Sequence, residues 1–204
     1  MQQYYLILEQ NKIIETERLI LRPITPADAS SIFEYSKNIE NIKFLEWAPH
    51  QNIMETRKII AQLFLSQPLG KWALELKDTH QMIGIIDLRL DSMMPNAKMG
   101  YIVNKKYWGN NYIFEAGKAV ITLAFEKMKL KWIFAECDIE NTNSEQAMIK
   151  MGMEYLGILP CQITTNYGQN KNHTLILSKT LDEIKKIINM TIWKLILCKI
   201  MILL

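Results

Sequence analysis

The chain has 204 residues, 49% of them hydrophobic and 22% charged, with a net charge of +3 at pH 7. That is enough for one core of about 150 residues with extensions at its ends. The weak charge and scattered Lys and Arg argue against a nucleic-acid partner; three distant cysteines (Cys137, Cys161, Cys198) argue against a disulfide framework and for a reducing, cytoplasmic setting; three isolated histidines (His50, His80, His173) without a CxxC pair argue against a metal site.

The opening MQQYYLILEQNKI lacks a basic start, and Glu9 closes its apolar run, so it does not read as a signal peptide. ERLILRPI (17–24) alternates apolar and polar residues up to a proline and predicts a strand. Thr25 can cap the helix that follows, with Pro26 at its first position and Asp28 in its first turn. A second helix is expected over about 53–66, where Ile53, Ile60, Leu63 and Phe64 fall at helical spacing before Pro68. Three strand-like runs follow at 71–77, 81–90 and 97–103, joined by short links, as in an antiparallel meander. Gly84 and Gly100 inside them mark a bulge or a close backbone approach. Then come a helix over 112–128, a strand over 131–139, a short helix over 143–151 closed by Gly152, and strands at 154–159 and 173–179. The order β-α-α-β-β-β-α-β-α-β-β, without internal repeats, predicts an α+β (mixed α/β) domain over 1–181. Residues 182–204 form an apolar tail with helical character.

The tail has the length at which a membrane helix is considered. Its last 18 residues contain ten Leu and Ile, which favour insertion by roughly 3 to 6 kcal/mol, while Lys194 and Lys199 oppose it by about 5 to 7 kcal/mol. The balance argues against a span and for packing on the domain or on a second copy, as in a homodimer, or lying on a membrane surface.

YWGNNYIFEA (107–116) is the stretch that points to chemistry. A turn built on Gly109, Asn110 and Asn111 opens a helix, where free backbone N–H groups form an anion site. An extended ligand lying along Tyr101–Val103 would place its anionic end on that turn. Asn141 or Asn143 can cap the helix after the next strand, with Gln146 closing a capping box onto Asn143.

Four features together resemble the GNAT family of N-acetyltransferases, in the branch similar to the RimJ/RimL ribosomal-protein N-terminal acetyltransferases. They are TERLILRPITPAD (16–28), MGYIVNKKYWGNNYIFEA (99–116), AECDIENTNSEQAMIKMGMEYLG (135–157) and the element order between them, so that the resemblance spans roughly 14–180. It implies the acyl-CoA N-acyltransferase fold, a central mostly antiparallel twisted sheet flanked by helices, and acetyl-CoA as cofactor. By that resemblance the pantetheine lies along Tyr101, Ile102 and Val103, and the pyrophosphate sits on Trp108, Gly109, Asn110, Asn111, Tyr112 and Ile113. Asn111 stands where the family has its central Gly, and Ile113 where it has Gly or Ala. Asn is the non-Gly residue that best tolerates left-handed backbone, though its side chain adds bulk beside a phosphate. Ile113 fits if its side chain turns into the core. Asn141 is expected to bond the CoA arm and Ser144 to protonate the leaving thiolate, because the position near Ile149 where the family carries Tyr is apolar here. Val103 N–H is the implied oxyanion donor.

Aminolysis of a thioester needs a neutral amine. At pH 7 roughly a tenth of α-amines are neutral, against about one lysine in a few thousand, so an N-terminal or weakly basic small amine needs little help from a base. The candidate acids are Glu75, Asp87, Glu136 and Asp138; Asp87 reads either as the base or as a strand residue paired with an Arg or facing water, and Glu115 suits its helix dipole and reads as structural. By the same resemblance the loop 44–51, with Trp47 and His50, walls the acceptor site; a Trp47 buried under the helices is the alternative. Three functions follow: an acetyltransferase acting on a protein N-terminus or a small amine by direct attack in a ternary complex; a non-catalytic acyl-CoA binder with a degenerate loop; or a membrane-associated protein whose tail is the working element.

Overall fold

The structure is a computed structural model that describes residues 2–91, 95–164 and 170–180. The tail boundary and the expected tail over 182–204 lie outside the described residues. Eight strands form one sheet: β1 (Ile14–Glu15), β2 (Leu19–Arg22), β3 (Lys71–Leu76), β4 (Met82–Leu90), β5 (Asn96–Val103), β6 (Trp132–Asp138), β7 (Glu154–Thr164) and β8 (Asn170–Thr180), in the order β1-β2-β3-β4-β5-β6-β8-β7. Every pairing is antiparallel except β5 with β6. The helices are α1 (Gln2–Gln10), α2 (Ala29–Ser36), α3 (Ile39–Ile42), α4 (Ile53–Ile59), α5 (Tyr112–Thr122) and α6 (Thr142–Lys150); α4 and α5 each continue for about one more turn with wider winding.

Alternation along the strands divides the apolar residues between two faces. Trp72, Leu74, Ile86, Leu88, Met99, Ile133 and Ala135 pack under α5 and α6 with Val120, Ala124 and Met148. Ala73, Ile85 and Ile102 pack under α2 and α4 with Ile32, Tyr35 and Ile60. Between Leu74 and Glu75 the β3–β4 register slips past Ile83, a bulge beside Gly84. A Cβ on Gly84 would overlap the Ile102 carbonyl oxygen and come within 3.0 Å of Val103 Cα, so the close approach anticipated there is made by the next strand.

The strand and helix spans agree with the expected ones to within a few residues, except that β7 and β8 are longer. Two short helices were not anticipated. Helix α1 docks through fully buried Leu8, and α3 sits in the connection after α2. Of the two caps expected for α6, Asn141 is the one used, and the box onto Asn143 is not formed. The Asn141 Oδ1 accepts from Ser144 N–H at 3.2 Å, and the helix starts at Thr142.

Candidate active site

The parallel pairing of β5 with β6 covers only Asn96–Lys98 against Trp132–Phe134. Beyond Lys98 the two strands separate, opening a wedge that ends at the turn before α5. Backbone bonds in an antiparallel pair alternate from residue to residue. Asp91 N–H bonds Asn96 O at 3.1 Å and Asn104 N–H bonds Ile83 O at 2.8 Å, so the even-numbered residues of β5 point their polar groups at β4. Tyr101 and Val103 therefore turn theirs into the wedge, while those of Ile102 stay within the sheet. Val103 C=O accepts from Trp108 Nε1 at 2.8 Å and from Asn41 Nδ2 at 3.2 Å. Among the described residues, Val103 N–H and both backbone groups of Tyr101 have no partner. Buried backbone groups seldom stay unpaired, so this edge is suited to an amide-bearing ligand. Tyr101 N–H was not singled out from the sequence, because only the register fixes which way it points.

The turn at the end of the wedge keeps the required shape. Gly109 has φ 80°, with open space where a Cβ would stand. Asn111 has φ 62° and ψ 16°, the left-handed conformation anticipated for it. Its side chain does not cap α5, so the N–H groups of Tyr112, Ile113 and Phe114 remain free, and the first bond of the helix runs from Glu115 N–H to Asn111 O at 3.1 Å. Lys150 Nζ instead donates to Asn111 Oδ1 at 2.7 Å, which brings a cation to the turn. Ile113 is half-buried against the main core, so its bulk is directed away from the anion site. Asn110 Nδ2 closes the turn on Tyr107 O and Trp108 O, both at 3.2 Å. Trp108 itself is 41% exposed.

Glu115 anchors the N-terminal segment, as its structural reading required. Its carboxylate accepts from Thr16 Oγ1 at 2.6 Å, Arg18 N–H at 2.7 Å and Arg18 Nε at 2.7 Å. Burial pushes its pKa up, and these bonds outweigh it and hold the group below its usual value. A groove of about 670 Å³ runs between this segment and the outer side of α5, with Asn111 and Lys150 among its lining residues.

On the α6 side of the wedge the Tyr101 hydroxyl lies 2.9 Å from Ser144 Oγ and donates to Ser144 O at 3.0 Å. Burial holds the phenol well above its ordinary pKa, so it stays protonated. The apolar position near Ile149 is thus answered by a tyrosine from β5, a partner that the spacing along α6 could not reveal. Asn141 spends its Oδ1 on the α6 cap and keeps its Nδ2 amide available.

Asp87 lies on the opposite face of the sheet. The bulge turns Ile83 into the main core, leaving Asp87 on one face with Ile85 and Arg89. Arg89 Nε is 3.2 Å from Asp87 Oδ1, which is buried without a hydrogen-bond partner. Burial pushes the Asp87 pKa up, against the pull of Arg89, the Gly100 backbone and Lys71. A Cβ on Gly100 would stand 2.8 Å from that oxygen, so glycine keeps the approach to the carboxylate clear. The other candidate acids are committed elsewhere: Glu75 to Arg22 and His80, Glu136 to Lys98, and Asp138 to Glu140 N–H. Trp47 is 40% exposed on its loop, as a binding wall requires. His50 is not part of that wall; it is buried, with Nδ1 2.9 Å from Thr56 Oγ1 and its backbone N–H donating to Ser36 O at 3.1 Å. Among the described residues there is no metal-binding cluster and no helix long and apolar enough to cross a membrane.

A family model described as an acetyltransferase (GNAT) domain matches residues 18–154. The chain is similar to an uncharacterised N-acetyltransferase of Bacillus subtilis strain 168, YoaA, with 30% identity over 151 residues that cover 72% of this chain and 85% of the relative. Among solved structures it is similar to a GNAT-family acetyltransferase from Bacillus anthracis, with a TM-score of 0.73 at 24% identity over 82% of this chain and 98% of the other. It is also similar to the microcin C7 self-immunity acetyltransferase MccE, solved in complex with acetyl-CoA and AMP, with a TM-score of 0.72 at 18% identity over 81% and 93% of the two chains. At those identities the two structures speak for the fold.

Proposed function

The chain belongs to the GNAT family of acetyl-CoA-dependent N-acetyltransferases, and from that premise we propose that it moves an acetyl group from acetyl-CoA, held in the β5–β6 wedge, to a primary amine. One observation carries the assignment to this site: the unpartnered N–H groups of Val103 and Tyr101 line a strand edge that leads into the free N–H groups of α5. The residues present fit acetyl-CoA. Tyr101 and Val103 offer backbone partners to an amide-bearing arm that passes Ile102, and Asn141 offers its Nδ2. The turn from Trp108 to Ile113, with Gly109, Asn110, Asn111 and Tyr112 between them, offers N–H groups to a pyrophosphate, and Lys150 adds charge. When bound, acetyl-CoA supplies an activated acyl group on a good leaving thiolate.

The chain's own groups divide the work across the sheet. Asp87, on the α2–α4 face, accepts a proton from the incoming ammonium. Val103 N–H steadies the negative charge that develops on the thioester oxygen. Ser144, on the α6 face and held by Tyr101, gives its hydroxyl proton to the departing sulfur. The new C–N bond forms as C–S breaks, with both substrates bound; the second proton shed by the nitrogen restores the Ser144 hydroxyl, and Asp87 releases its proton to water, leaving an N-acetyl amine and a free thiol. The acceptor is a protein N-terminus, as in the RimJ/RimL branch, or a small amine of low basicity, because such amines need little help from a base.

Calorimetry with acetyl-CoA on the full chain, followed by thiol release over a panel of N-terminal peptides and small amines, tests the proposal. Micromolar binding and amine-dependent thiol release support it. Binding with no turnover on any amine would make the protein an acyl-CoA-binding module, and absence of binding would overturn the site.

A further inference from the structure

At the mouth of the wedge one side chain takes the place of a missing strand. Asn41, buried in the short helix α3, donates Nδ2 to Val103 O at 3.2 Å and accepts Lys105 N–H at its Oδ1 at 2.6 Å. A carbonyl can only accept and an N–H can only donate, so the two partners fix the orientation of the amide. One residue of a parallel strand makes the same pair of bonds with its neighbour, to the C=O before and the N–H after the residue it faces. Here that residue is Asn104, whose N–H is tied on the other side to Ile83 O. Strand β6 would supply the partner if its pairing with β5 continued, but it ends at Lys98. The Asn41 amide, sharing the Val103 carbonyl with Trp108 Nε1, stands in for it and is the group that ties both Val103 O and Lys105 N–H.

We propose that Asn41 is a positioning residue for acetyl-CoA: it holds the end of β5 so that the Val103 and Tyr101 N–H groups face the wedge, and it ties that edge to the acceptor-side helices. This inference rests on the acetyl-CoA reading of the wedge. The neighbouring charges are already paired, Lys106 with Glu34 and Lys105 with Glu40, so the clamp that reaches the wedge edge from α3 is a neutral amide.

The test compares acetyl-CoA affinity, by calorimetry, for the wild-type chain, Asn41→Ala and Asn41→Asp between pH 5 and 8, with circular dichroism to establish that each is folded. Asn41→Ala loses both bonds, and its affinity falls about tenfold at every pH. A protonated Asp reproduces the donor and acceptor of Asn, whereas an ionised one faces Val103 O with a second acceptor. Burial against a carbonyl oxygen raises the pKa of that carboxyl above the ordinary range, so the Asn41→Asp affinity relative to wild type rises as the pH falls from 8 to 5, by up to about tenfold where protonation is complete. A role in stability alone would move melting temperature and leave the affinity ratio of the folded proteins flat. If wild type binds and both folded variants bind equally well at every pH, the Asn41 proposal is overturned while the acetyl-CoA site stands. If wild type does not bind, the acetyl-CoA reading falls and the proposal with it.

Discussion

Asn111 is where the turn departs from an all-glycine cradle, and replacing it separates backbone shape from side-chain bulk. With φ at 62° it occupies a region that costs an ordinary L-residue about 1 to 2 kcal/mol and costs Asn less. Asn111→Val meets the full penalty with a β-branched side chain and also loses the Lys150 hydrogen bond, worth about 0.5 to 1 kcal/mol. The sum is about 1.5 to 3 kcal/mol. At about 2 to 4 °C per kcal/mol for a chain of this size, Asn111→Val should melt about 3 to 12 °C below wild type. Asn111→Gly loses the same bond and makes the unfolded chain more flexible, but it removes the strain, so it should stay within about 4 °C of wild type. Calorimetry on the same proteins should find acetyl-CoA binding by Asn111→Gly at least as tight as wild type, and binding by Asn111→Val about tenfold weaker. Differential scanning calorimetry reads the first pair of values directly. An Asn111→Val protein that melts within 2 °C of wild type would refute the argument that this turn demands a left-handed residue.

Ser144→Ala should leave melting almost unchanged, because the Tyr101 hydroxyl keeps its bond to Ser144 O, while steady-state turnover falls about a hundredfold; equal turnover would remove Ser144 as proton donor. Asp87→Asn should melt at or above wild type at pH 8 and lose about a hundredfold in transfer rate. Burial holds the Asp87 pKa above its ordinary value, so the ionised form is disfavoured in the folded state and stability declines as pH rises through that value; a lower melting point at pH 8 would contradict this sign. Glu115→Gln should lower the melting point at neutral pH. The Glu115 pKa is depressed, so its stabilisation is complete above the unfolded value and lost as pH falls through the folded one, and a scan down through the ordinary carboxylate range should close the gap to wild type. Gly84→Ala should cost about 1 to 3 kcal/mol, measured by thermal unfolding, because its Cβ meets the backbone of β5, which cannot step aside as a side chain could.

Most of the elements were legible in the sequence because their causes are local. Alternation at 17–24, helical spacing after Asn111, and glycines at turns act within a few residues of one another. The left-handed Asn111 was also legible, since the tolerance of Asn for that backbone is its own property. The direction of Asp87 was not, because a one-residue bulge at Ile83 decides which face each neighbour takes. Nor was the burial of His50, which depends on α4 closing over it through Thr56.

By itself the sequence determined which segments become strands and helices, the left-handed turn before α5, and the resemblance to the GNAT family, which the comparisons confirm. Only the tertiary structure decided that β8 inserts between β6 and β7, that β5 and β6 part after Lys98, and that Tyr101 meets Ser144 and Asn41 meets Val103. Periodicity is a property of neighbours, whereas a strand edge left unpaired, and the side chain that reaches it from 62 residues away, come into being when distant segments are brought together.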